Sequence, residues 1–232
     1  MAVIHKYYLK PTALIPNSHY PLIHYKKLID EPAANTGKVY DLYDSNGWNV
    51  NWIFRYGQTQ ASHYHSRSHE CMTVLTGTAT IRFGVADTSD SLEENTWGAA
   101  KEDGGVEVTA EAGDVFIIPA GVAHKTYGTA PAAAFQLLTP GTGHGIAASA
   151  GADRRQAVAD VQLDGYTMMG AYPKGSDWDF LEGDADHSDW DNVWAIQKPD
   201  LDPVLGKSEE GIVGTWKGIE YYRQGATNRP RL

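Results

Sequence analysis

The chain has a single cysteine, Cys71, so no disulfide can form within it, and it contains no Asn-x-Ser/Thr glycosylation acceptor. Nothing in it requires an oxidising compartment. No apolar run is long enough to cross a bilayer, and "MAVIHKYYLKPTALIPN" holds no apolar segment of signal-peptide length. The expectation is a soluble, cytoplasmic protein with no membrane partner. Basic residues are also scarce: nineteen Lys and Arg stand against twenty-nine Asp and Glu, a net charge of −10. A nucleic-acid partner is excluded on that ground, because phosphate neutralisation needs a basic face.

What is present points to a folded core. The hydrophobic fraction is 42%, with seven Trp and thirteen Tyr, and 232 residues suffice for one substantial domain. Short apolar or alternating runs are separated by Gly, Pro or acidic loops: 49–56, 72–85, 105–110, 114–121 and 132–140. That spacing predicts an all-β sandwich or barrel. "ADTSDSLEENTWGAAKEDG" (86–104) reads as a solvated hairpin extension, and "GADRRQAVADVQ" (151–162) as the one short helix. Further strands are expected in "GYTMMGAYP" and "GTWKGIEYYR", joined by an acidic, Trp-rich loop.

The densest chemistry lies in "GQTQASHYHSRSHECMTVLTG", Gly57 to Gly77, where three of the nine histidines fall within seven residues. On an extended chain His63 and His65 point the same way and can share one ligand, for which a metal is the natural choice. Glu70 opens the next strand and can lie beside them. Two imidazoles and a carboxylate suit Mn, Fe, Co, Ni or Zn better than Ca or Mg. His124, at the end of "GDVFIIPAGVAHKTYG", completes a set of four. Alternation turns His69 and Cys71 away from Glu70, while Met72 and Val74 share its face and should line a cavity. Arg82 alternates with the inward set Ala79, Ile81 and Phe83 and should face out. Arg55 is either an ion-paired rim residue or a fork for a substrate carboxylate. Gln136 is a weaker pocket residue. "GTGHG" lacks the spacing of a dinucleotide loop and is read as a turn.

These two segments carry a resemblance. Gly57, His63, His65, Glu70 and Gly77 fill G-x5-H-x-H-x4-E-x6-G, and Gly113, Pro119, Gly121 and His124 fill G-x5-P-x-G-x2-H, with Gly128 in place of a final Asn. Both are signatures of the cupin superfamily. "LIPNS", "GWNVNWIFRYG", "RFGVAD" and "MMGAYP" followed by "WD" further resemble the YjlB-like single-cupin family. The resemblance implies a jelly-roll barrel of two packed sheets, with His63, His65, Glu70 and His124 converging on one divalent transition metal. Residues 1–45 are then an arm packed on the barrel, 46–145 its core, and 146–232 a helix and strands completing the same domain. It also implies a homodimer but names no substrate; the expectation drawn from the site is a small oxygen-rich or carboxylated organic molecule. Dioxygenase- or oxidase-type chemistry is the first expectation, with Glu70 as ligand or base. The alternatives are a Lewis-acid isomerase or lyase, and a non-enzymatic binding barrel with a structural metal.

Overall fold

The computed structural model describes residues 3–147 and 153–218. Among the described residues ten strands form: β1 (Val3–Tyr7), β2 (Leu22–Lys26), β3 (Trp48–Arg55), β4 (Glu70–Thr76), β5 (Thr78–Phe83), β6 (Val106–Glu111), β7 (Val115–Ile118), β8 (His124–Ala130), β9 (Gln136–Leu137) and β10 (Thr167–Pro173). Five short helices accompany them: α1 (Thr36–Ser45), α2 (Leu92–Thr96), α3 (Arg154–Ala159), α4 (Trp190–Trp194) and α5 (Ile212–Thr215). One sheet has the order β1-β2-β7-β4-β10-β3-β9 and a second β6-β5-β8, all pairs antiparallel. This is a two-sheet cupin barrel, and no helix among the described residues is long and apolar enough to cross a membrane.

The large sheet is covered on both faces. Leu22, Trp52, Met72, Val74, Phe116, Met168 and Tyr172 point into the barrel and meet Ala79, Ile81 and Phe83 from the small sheet. Their strand neighbours Ile23, Ile53, Cys71, Ile117 and Met169 point outward, against Val39 and Tyr43 of α1, Val158 of α3, and Ile212 and Trp216 of the tail. Two-sided burial is why β4, β7 and β10 read as nearly unbroken apolar runs, since neither face is solvated.

Several sequence expectations change. The barrel does not close within 46–145: β10 lies between β4 and β3, and β1 and β2 extend the same sheet. Of 132–140 only Gln136 and Leu137 pair, at an edge against β3. "GTWKGIEYYR" begins in the last two residues of helix α5 and continues as a turn up to residue 218, and its remainder lies outside the described residues. The 86–104 excursion carries α2, whose carbonyls at Asn95 and Thr96 accept from Arg82 at 2.8 and 3.0 Å. Arg82 therefore faces outward as expected, yet is only 4% exposed. α3 forms inside 151–162, capped by Asp153, whose side chain accepts from the Arg155 N–H. Gly128 belongs to β8 instead of a loop; its φ of +62° suits Gly or Asn.

The tail is tied down by Asp202, fully buried, which accepts from the Tyr25 hydroxyl (2.5 Å) and from the N–H groups of Val204, Leu205 and Ile212 (2.9, 2.8 and 3.1 Å). Asp202→Ala should cost about 3 kcal/mol in a urea titration, the scale of lost hydrogen bonds to a buried charge. An unchanged midpoint would show that the tail is not anchored there.

Candidate metal centre

The histidine segment is extended without being a regular strand. His63 and His124 exchange backbone hydrogen bonds (3.2 and 2.8 Å), and Tyr64 does the same with Leu181 (2.8 and 3.1 Å). His65 is fixed through its carbonyl, which accepts from the N–H of Gly121 at 2.9 Å. Gly121 has φ +87°, and a Cβ there would lie 2.5 Å from the Asn17 carbonyl oxygen, so the loop closes only with glycine.

The structure gathers His63, His65 and His124 and sets Glu70 against two of them, His65 and His124, all four buried. One ring nitrogen from each histidine lies within 4.8 Å of the others. Glu70 Oε1 faces His65 Nε2 at 3.4 Å, and Oε2 faces His124 Nε2 at 3.3 Å. Each imidazole is oriented by a carbonyl at its Nδ1: Ala61 for His63 (3.2 Å), Val122 for His124 (3.3 Å), and Asp179 for His65. With the Nδ1 protons so placed, the Nε2 lone pairs point to the centre, the arrangement that metal-binding histidines adopt. His65 Nε2 and Glu70 Oε2 have no hydrogen-bond partner, and buried polar atoms are seldom left so. The donor set of three imidazoles and a carboxylate fits a divalent transition metal that would satisfy both atoms.

The electrostatics favour ligand-ready forms of His63, His124 and Glu70, and favour protonation of His65. Burial, helped by the neighbouring imidazoles, holds His63 well below the usual range, and burial brings His124 down to about 4. Burial opposes ionisation of Glu70, but His65, His124 and the Tyr172 hydroxyl outweigh it and bring the carboxyl to about 2. Burial likewise pulls His65 down, and the Glu70 carboxylate more than reverses that.

Met72 lines the barrel interior, two residues along β4 from Glu70. Arg55 and Gln136 are not brought to the centre. Arg55 alternates away from Trp52, Phe54 and Tyr56. Its guanidinium is taken by Asp164 (2.8 and 2.7 Å), Gln136 Oε1 (2.7 Å) and the Ala134 carbonyl (2.9 Å), and Gln136 itself is exposed. Of the two readings of Arg55 the geometry matches the ion-paired rim and not the substrate fork, a choice that burial on both faces of the sheet hides in the sequence. His69 points away from the centre: its Nδ1 accepts from the Ala120 N–H (3.0 Å), its Nε2 donates to the Gln197 carbonyl (3.1 Å), and burial lowers it to about 4.

Residues 177–184 contribute most of what the sequence did not reveal. Asp179 accepts from Ser66 N and Oγ (2.7 and 2.5 Å) and offers its carbonyl to His65. Phe180, 48% exposed, stacks on His63 with ring centroids 4.0 Å apart, and Trp178 packs on His65 at 5.5 Å. Only "WD" in the second resemblance hinted at this strap.

His63→Ala, His65→Ala and His124→Ala should each weaken metal binding more than about 100-fold, above the loss usual for outer partners of a metal site, with the barrel still folded. Elemental analysis of untagged protein checks this, and full occupancy in the triple variant would overturn the assignment. Arg55→Ala should leave metal content unchanged and cost at most about 1 kcal/mol, as exposed ion pairs do.

Comparison with known proteins agrees with the geometry. The family model for cupins matches residues 57–153. The uncharacterized protein YjlB of Bacillus subtilis (strain 168) is 25% identical over 210 residues, covering 88% of this chain and 91% of that protein. Among solved structures, RmlC from Streptococcus suis in complex with dTDP-D-xylose is 12% identical, with a TM-score of 0.32 over 87% of this chain and 86% of that one. A vicilin from Capsicum annuum is 10% identical with a TM-score of 0.28; 75% of this chain is covered, but only 33% of the vicilin. With both signatures filled and their side chains gathered inside a two-sheet barrel, residues 57–153 match the cupin family and the chain as a whole resembles YjlB.

Proposed function

We propose that the protein is a metal-dependent enzyme acting on a small oxygen-bearing organic molecule, with dioxygenase- or oxidase-type chemistry at a three-histidine, one-glutamate centre. The observation that supports this is the convergence of three carbonyl-oriented imidazoles on a carboxylate whose second oxygen has no partner. When bound, Fe or Mn supplies open positions for oxygen ligands and an accessible second oxidation state.

The chain's own residues supply the setting. His63 and His124 are held neutral, and Glu70 carries the negative charge that partly offsets a dication. Trp52, Tyr56, Met72 and Tyr172 wall the barrel interior. Inside the barrel the further titratable groups that feel Glu70 are Tyr56 and Tyr172, whose hydroxyls burial pushes well above the usual range. Neither acts as a base at neutral pH, so a reading that needs a protein base rests on Glu70. Arg55, Arg82 and Lys125 are each engaged by an acid: Asp164, Glu107 and Asp87. Recognition therefore falls to the centre for the substrate's oxygen atoms and to aromatic walls for its body.

With Fe(II) or Mn(II) loaded anaerobically, oxygen uptake should depend on added substrate, screened from small oxygen-bearing metabolites, and should vanish with Zn(II). Full-rate turnover under argon would overturn the redox reading.

A further inference from the structure

The segment "MMGAYP" was singled out by its resemblance, and the folded barrel gives it a task. We propose that Tyr172, held by Trp52 lying across Gly170, is a positioning residue that ties back one oxygen of Glu70 and leaves the other as a one-oxygen ligand. This rests on the reading of the four-residue centre as a metal site.

β10 runs between β4, which carries Glu70, and β3, which carries Trp52, with Gly170 opposite both Trp52 and Met72. A Cβ on Gly170 would lie 2.0 Å from Trp52 Cζ2 and 2.1 Å from Cε2, so the indole lies on the bare backbone of that glycine. There its Nε1–H donates to the Tyr172 hydroxyl at 3.1 Å. An indole nitrogen can only donate, so the Tyr172 oxygen must accept, and its single proton is left for Glu70 Oε1. Every proton direction in this chain is thereby set. All three side chains are buried, at 3%, 1% and 1% exposure for Trp52, Tyr172 and Glu70, so no water competes for these bonds.

The consequence falls on the carboxylate. A charge-assisted bond from a buried phenol engages Oε1 and holds the plane of the group. Oε2 remains unpartnered beside His124. Without the phenol proton, Glu70 is free to turn and present both oxygens to a metal, closing a position that substrate needs. The glycine, the indole N–H and the phenol O–H act on the centre through Glu70.

The test uses Co(II), whose visible absorption loses intensity as coordination number rises. The full-length parent should bind one Co(II) per chain. Tyr172→Phe, with its fold checked by melting, should bind it 10- to 100-fold more weakly, the loss usual for such outer partners, with a less intense spectrum. Trp52→Phe keeps a ring but removes the donor and should shift the spectrum the same way by less. Gly170→Ala should reproduce Trp52→Phe, because the new methyl must displace the indole. Parent-like spectra with affinities within twofold in Tyr172→Phe and Trp52→Phe would overturn the positioning role. A parent that binds no Co(II) would instead overturn the metal reading beneath it. Should Tyr172→Phe fail to fold, Trp52→Phe carries the same test.

Discussion

Glu70 is an ionised carboxylate at 1% exposure, and much of the barrel is arranged around keeping it charged. Removing a carboxylate from water is expensive unless hydrogen bonds and positive partners offset the loss. Three elements distant in sequence make that offset: the extended histidine segment, β8 beginning at His124, and β10 with its tyrosine. Each must arrive in one register. Backbone exchange between His63 and His124 fixes the first two, and the ladder of β10 against β4 fixes the third.

The walls follow from the same requirement. A charge in the barrel leaves the rest of the interior to apolar and aromatic groups, and the cations of β3, β5 and β8 are turned outward to acids on the far faces. Lys125 is the extreme case: adjacent to His124 in sequence and fully buried, it is held at 3.0 Å by both oxygens of Asp87, which also caps the N–H of Ser62. The outer shell of ion pairs thus braces the two segments that carry the histidines.

The part of this legible in the sequence was the part written in short-range spacing. His63 and His65 share a face because they are two apart, and the same rule turned His69 and Cys71 outward. Arg55 could not be placed that way, since apolar neighbours on both sides of a doubly buried strand do not say which face is the interior. α1 was missed because "TGKVYDLYDS" lacks strong helix formers and is held by Val39 and Tyr43 packing on the sheet. Tyr172 and Asp179 were marked only by the resemblance of "MMGAYP" and "WD", which names no role for them: their roles depend on contacts across more than a hundred residues.

That separation has a kinetic side. The bonds from Asp179 to His65 and from Tyr172 to Glu70 close loops of 114 and 102 residues. Contacts of such high order form late, after the local hairpins, because the entropy of closing the loop must be met first. A chain leaving the ribosome therefore displays its histidines long before the strand and strap that orient them exist. For a metal held as proposed, selection is deferred until the fold is nearly complete, so the barrel, and not the bare histidine motif, would decide which ion is kept.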